Sequence, residues 1–271
     1  MKRLVVTADD FGASLEINEA VERAHREGML TAASLMVGES AFDDAVERAR
    51  RMPKLGVGLH VSLVNARPVL PKEQVPDLVD ARGNFDDNLV RAGVRYFFLP
   101  RVRKQLEAEI RAQFEAYAAT GLALDHVDGH NHLQVHPTLF SIIMRIGRDY
   151  GMRAMRVPWE PSGIVNALLI RPWAALMRTR LHRAGIRSND ALFGLKDTGR
   201  LSEARVLEIL SALPEGLNEL YLHPRAGAGI HGNDTAGYAR EEELDTLLSP
   251  RVRDAISAHG IRPVRYGDSF A

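Results

Sequence analysis

The sequence predicts an α/β fold, a distorted TIM-like (β/α) barrel formed as a single domain over residues 1–271. Three observations predict it. Short apolar runs alternate with helical patterns along most of the chain, the signature of α/β units and a parallel sheet. A length of 271 residues suits one barrel. Polar residues able to do chemistry recur at the carboxyl ends of the apolar runs, where a barrel of this kind gathers its active site.

The strand-like runs are "LVVTADD" at 4–10, "AASLMV" at 32–37, "GVGLHVSL" at 56–63 and "LALDHVDGH" at 122–130. "MRAMRVP" at 152–158, "NELYLHP" at 218–224 and "IRPVRYGD" at 261–268 follow. Helical patterns cover 14–28, 41–52, 101–120, 137–149, 202–213 and 239–258. Between 64 and 100 the pattern is irregular, with four prolines and a Gly-Asn turn, which predicts a long excursion. No repeat, linker or low-complexity tract divides the chain.

Composition narrows the function. Hydrophobic residues make up 45% and charged residues 26%, enough to fill a core. Lys+Arg and Asp+Glu are both 35, so no net field favours nucleic acid, and no nucleic-acid partner is expected. The absence of cysteine removes disulfides, thiolate metal sites and cysteine nucleophiles. The first strand begins almost at once, leaving no room for a signal peptide, and Arg interrupts every long apolar stretch. A cytoplasmic enzyme follows as the expectation, with peripheral contact at the inner membrane discussed below. The sequence does not set the oligomeric state.

Asp9 and Asp10 raise the first chemical question, because two adjacent carboxylates at the end of a buried strand need partners. Alternation along an extended chain points them to different places, hence to different jobs. Asp10, His60 and His130 suit a borderline divalent ion such as zinc and leave coordination positions open. One divalent metal ion is therefore expected, zinc first and magnesium or another divalent ion second. Asp9 then becomes the general base, His223 the general acid, and Arg156 a group that orients Asp9 or binds substrate. With those roles, an alkaline limb in kcat/KM would belong to His223. In "DHVDGHNHLQVHP", positions 126, 128, 130 and 132 share a face if the segment is extended, so Asp128 and His132 join His130 and Asn131 points away. His126 and His136 read equally well as ordinary polar residues, and Glu160 as a supporting or plain loop carboxylate.

Several motifs carry no weight. "GAGIHG" at 227–232 matches a dinucleotide glycine pattern but lacks a helix opening directly after it. "NDT" at 233–235 means nothing without secretion, and "HNH" at 130–132 is contiguous, unlike the nuclease motif.

"TADDFG", "GLHVSL", "DHVDGHNH", "RVPWE" and "YLHPR" occur in the order found in the YdjC/ChbG-like carbohydrate deacetylases, and the chain resembles that family over positions 3 to about 225. The resemblance implies a metal-dependent hydrolase with a TIM-like barrel that removes acetyl groups from N-acetylated sugars. It assigns Asp9 as base, Asp10, His60 and His130 as ligands, and His223 as acid. "ASLMVGES", "VPDLVDARGNF" and "LVRAGVRYFFLPRVRKQLEAEIRAQFEAY" look like the hopanoid biosynthesis-associated deacetylases of HpnK type. That likeness implies an N-acetylglucosaminyl lipid as substrate, with soluble chitooligosaccharides as the alternative. Asn131 departs from the chitooligosaccharide relatives, which tend to have His there.

Two other classes compete. A phosphoesterase would need more cations at strand ends than Arg156 and Arg225, and a non-catalytic sugar- or lipid-binding protein has no use for Asp9 beside a ligand triad. Phe97, Phe98 and Trp159 are the expected apolar substrate contacts. Segment 89–104 ("LVRAGVRYFFLPRVRK") and segment 163–187, which lacks acidic residues, predict an apolar-basic lip facing lipid. Packing into the core with snorkelling arginines is the competing expectation.

Overall fold

The computed structural model describes residues 1–161, 170–227 and 237–270. Among the described residues seven strands form one parallel sheet: β1 (Lys2–Phe11), β2 (Ala32–Leu35), β3 (Gly56–Val61), β4 (Val127–Gly129), β5 (Ala191–Phe193), β6 (Gly216–Leu222) and β7 (Arg262–Pro263). Their order is β4-β3-β2-β1-β6-β5, with β7 paired to β1. β6 holds one edge of β1 from Lys2 to Ala8. On the other edge β7 pairs with Arg3 and Leu4, before β2 takes over at Thr7.

The sheet curls into a half-barrel, and isolated links carry the hydrogen bonding onward from β4 to β5. Val127 pairs with Met155, Ala154 with Arg187, and the Leu192 N–H donates to the Trp159 carbonyl at 2.9 Å. The strand expected at 152–158 is thus reduced to single pairings. Its neighbours are too short to extend it.

The described helices are α1 (Leu15–Glu27), α2 (Phe42–Arg50), α3 (Leu89–Phe98), α4 (Pro100–Ala119), α5 (Pro137–Asp149), α6 (Arg171–Arg183), α7 (Glu203–Ser211), α8 (Arg240–Leu248) and α9 (Pro250–Ala258). α1 shows why they form. Ser14 caps it by accepting the Ile17 N–H, worth about 1 kcal/mol, while Ile17, Ala20, Val21 and Ala24 bury one face. The helix expected over 239–258 is two helices, because Pro250 lacks an N–H and keeps Ser249 extended. Helix α3 lies inside the supposedly irregular excursion. It buries only Ala92 and Tyr96.

The strand faces divide cleanly. Leu4, Val6 and Ala8 pack outward in the main hydrophobic cluster. On the opposite face Val5, Ala32, Ala154, Leu217, Val264 and Tyr266 form a small separate cluster at the amino ends of the strands. The next residues on that face, Thr7, Ser34, Arg156 and Glu219, are polar, wholly buried and bonded across the sheet. The half-barrel is therefore floored with apolar side chains and filled above with charge. No described helix is long and apolar enough to cross a membrane.

Candidate active site

Asp9 continues the inward face of β1 and Asp10 ought to point away from it. The chain prevents this by turning left-handed at Asp10, where φ is 65°. The β1–β2 register slips between Ala8 and Phe11, and Asn18 holds the turn by accepting the Gly12 N–H at 2.8 Å. Both carboxylates therefore reach one cavity of about 190 Å³ at the carboxyl ends of the strands.

Three donor atoms converge there. Asp10 Oδ1 is 3.2 Å from His130 Nδ1 and 3.7 Å from His60 Nε2, and the two ring nitrogens are 3.3 Å apart. Asp10 Oδ1 is buried without a well-directed hydrogen bond, despite the nearby ring nitrogen. Tetrahedral ligands at about 2.0–2.1 Å from a zinc ion would stand roughly 3.3–3.4 Å apart, so the triangle fits a divalent ion. The other Asp10 oxygen accepts from Arg240 at 3.1 Å. Burial opposes ionisation of Asp10, but His130 and Arg240 outweigh it and hold the carboxyl well below its ordinary range. His60 Nδ1 lies 2.8 Å from Asp128 Oδ1. Burial opposes charge on His60 too, yet Asp128 and the paired aspartates raise it to about 9.

The chain does not stay extended after β4. A 3-10 turn starts at His130, and Asn131 and His132 take left-handed φ values of 52° and 54°. The expected common face of 126, 128, 130 and 132 therefore breaks after Asp128. Asn131 lines the cavity beside His130 and His132 instead of pointing away. The buried His132 ring falls to about 3, mainly through desolvation, and packs edge-on against Tyr221 with centroids 4.8 Å apart.

Asp9 receives a two-pronged bond from Arg156, at 2.7 and 2.8 Å. The same guanidinium reaches Glu219 at 2.8 and 3.0 Å and Asp128 at 2.7 Å. Desolvation would raise Asp9, but Arg156 overcomes it and the carboxyl stays below its ordinary value. Across the cavity stands His223, whose backbone N–H donates to Glu243 Oε2 at 2.6 Å and whose Nδ1 has no hydrogen bond among the described residues. Burial lowers this ring to about 4, so it is neutral at rest. With its ring lowered in this way, an alkaline limb in kcat/KM would belong to another group of the free protein. Any proton it donates has to be acquired during turnover.

Residues 3–258 match the family described as YdjC-like protein. This chain belongs to the YdjC-like family. A carbohydrate deacetylase from Brevibacillus brevis is 39% identical over 160 residues, covering 58% of this chain and 60% of that protein. A carbohydrate deacetylase from Mus musculus is 33% identical over 293 residues, covering 96% of this chain and 92% of its own. A crystal structure from Enterococcus faecalis V583, named for a proposed role in cellobiose-phosphate cleavage, superposes with a TM-score of 0.79 at 26% identity. That match covers 100% of this chain and 99% of the other.

Not every expected residue of the YdjC-like chain reaches the cavity. Asp128 and Arg156 lie behind it, fully buried, and act on the residues that line it. Phe97 and Phe98 are exposed on α3, at 43% and 67%, and Trp159 sits half-buried beneath the Arg178 guanidinium. None of the three lines the 190 Å³ cavity. Glu160 accepts the Lys196 N–H at 3.2 Å. The lip is partly core: Tyr96 is buried and donates to the Leu63 carbonyl, while Met177 is buried and Trp173 donates to the Val135 carbonyl. Ile164, Leu168 and Leu169 of the lip, most of "GAGIHG" and all of "NDT" lie outside the described residues.

Other contributors were missed by the sequence reading of this YdjC-like chain. Glu219 and Tyr221 carried a signal, being polar-headed residues alternating with Leu220 and Leu222 in a buried strand. Ser34, Arg240 and Glu243 carried none, since nothing local ties them to a site formed far away in the chain. Beside the cavity a larger groove of about 540 Å³ shares Asp10 and His130 with it and is lined also by Arg240.

Proposed function

We propose that this chain is a metal-dependent hydrolase that removes the N-acetyl group from an amino sugar, giving acetate and the free amine. The carrying observation is the Asp10–His60–His130 triangle, with Asp9 and His223 lining the same cavity. A divalent ion held there, zinc first, supplies Lewis-acid polarisation of the acetamide carbonyl and makes water more acidic. Asp9, kept ionised and aimed by Arg156, takes a proton from the attacking water. The proton taken up by Asp9 has to reach the departing nitrogen, and His223, neutral at rest, is the cavity group that receives it and passes it on, so that the nitrogen leaves as an amine. The whole chain acts as one catalytic domain.

The finer reading is an N-acetylglucosaminyl hopanoid as substrate, supported by the HpnK-type segments and by the surface of α3. Val90, Val94, Phe97, Phe98 and Leu99 are exposed, and Leu89 from the same helix lines the catalytic cavity. Arg103 and Lys104 follow that apolar face in the chain, while Arg91 pairs with Asp86 and Arg101 with Asp77, and the apolar-basic combination suits the surface of an anionic bilayer. The protein would then work in the cytoplasm, peripherally at the inner membrane. Mass spectrometry of N-acetylglucosaminyl hopanoid and of chitobiose, each incubated with zinc-loaded protein, tests the reading. Loss of one acetyl from the lipid supports it, loss only from chitobiose moves the assignment to soluble chitooligosaccharides, and loss from neither removes it. Replacing Phe97 and Phe98 with Ser should weaken vesicle binding and lipid turnover while sparing a soluble acetylated sugar. Early melting with loss of both activities would place those rings in the core.

A further inference from the structure

Behind the ligand triangle a single file of polar groups runs down the barrel interior. Asp128 Oδ1 meets His60 Nδ1 at 2.8 Å, and Asp128 Oδ2 accepts from Ser34 Oγ at 2.8 Å. Ser34 Oγ lies 3.1 Å from His126 Nε2, and His126 Nδ1 lies 3.0 Å from Asp125 Oδ2. Asp125 Oδ1 accepts the Gly267 N–H at 2.8 Å, beside a groove at the amino ends of the strands.

Hydrogen counting along this file decides a charge. Ser34 owns one hydroxyl hydrogen, and it goes to Asp128, an ionised carboxylate also braced by Arg156. Ser34 then offers His126 only a lone pair, so His126 Nε2 carries a hydrogen. On the other side Nδ1 faces a carboxylate, which also calls for a hydrogen. A ring protonated on both nitrogens is an imidazolium. We propose that His126 is a buried cation and a positioning residue: through Ser34 it fixes Asp128, which holds His60 by its Nδ1–H and turns Nε2 toward the ligand triangle. The second half of this chain of effects rests on the reading of Asp10, His60 and His130 as a ligand set.

The surroundings agree. The groups acting on the ring are Asp125, Asp128, Glu219 and the tilted Tyr266 ring 5.0 Å away. Burial opposes a charge on His126, but the carboxylates outweigh it and the ring titrates above its ordinary value. β3 is shaped for the pair. A Cβ at Gly58 would fall 2.5 Å from the His126 ring, and one at Gly56 would fall 2.7 Å from the Asp125 carboxyl carbon. Gly56, Gly58 and His60 share a face of one strand, so "GVGLH" provides two seats and then the group they serve.

Nitrogen-15 NMR of histidine-labelled, metal-free protein tests the charge directly. Both His126 ring nitrogens should be protonated from pH 6 to 8, and a neutral ring at pH 7 would overturn the proposal. Zinc titration then tests the connection. Ser34→Ala should weaken zinc binding about 10- to 100-fold, the usual cost of losing a partner that orients a ligand, and Ser34→Thr should recover most of it. Unchanged zinc affinity in Ser34→Ala would overturn the positioning role. A wild-type protein that takes no zinc but shows the imidazolium would sink the ligand-set reading and leave the His126 charge standing.

Discussion

Replacing Arg156 with Met should make the protein unstable in a pH-dependent way that the wild type does not share. The guanidinium is wholly buried and bonds Asp9, Asp128 and Glu219 at distances from 2.7 to 3.0 Å. Removing it strands three carboxylates in the barrel interior. Breaking a buried ion pair costs about 3–5 kcal/mol. For a chain of this size that is a fall in Tm of roughly 6–20 °C. In the wild type the Asp9 and Asp128 carboxyls are held below their ordinary values, so they add stability above about pH 3.9 that is lost on acidification. Without Arg156 their folded-state values should rise, and the sign reverses: stability falls as pH climbs past about 3.9. Thermal melts followed by circular dichroism at several pH values between 5 and 8 read this out. The difference between variant and wild type should be smallest at pH 5 and largest at pH 8. Arg156→Lys, which keeps a charge but not the planar fork, should fall between the two. A Met variant that melts with the wild type, or whose deficit ignores pH, would refute the claim that Arg156 neutralises the interior.

Three further outcomes are expected. Zinc uptake should release a proton and strengthen about tenfold per pH unit between pH 6 and 8, because burial opposes but the nearby aspartates raise His60 to about 9 and a ligand ring must be neutral. Calorimetry in buffers of different ionisation heat measures this, and a flat profile contradicts it. Asp9→Asn should retain zinc while losing about 10²- to 10⁴-fold in acetyl-hydrolase rate, whereas His60→Ala and His130→Ala should lose the metal itself. Elemental analysis separates the two kinds of variant, and full occupancy in both His variants would remove them from the ligand set. Glu243→Gln should cost about 1–3 kcal/mol, since one amide oxygen cannot accept the N–H groups of both Leu201 and His223. Denaturant melts would expose the error if no loss appeared.

The sequence alone determined the α/β class and picked out the residues that meet at the candidate site. Asp9, Asp10, His60, His130 and His223 were legible because each interrupts or ends an apolar run, and period-2 alternation marks that break locally. The tertiary structure decided where they sit and what they touch. Asp10 reaches the cavity only through a left-handed residue, which a propensity for extended chain cannot foresee. Arg156 and Asp128, legible as polar strand ends, became buried supports of Asp9 and His60 only when strands distant in the chain curled together. Strand β5 was hidden by brevity, since three residues cannot display a period, whereas β7 and the linking pairs at 154–155 fall inside strand-like runs legible in the sequence. Ser34, Arg240 and Glu243 left no local mark at all. Their partners lie 94, 230 and 20 residues away, and hydrogen bonds over such separations are written in the packing of the barrel rather than in any stretch of chain.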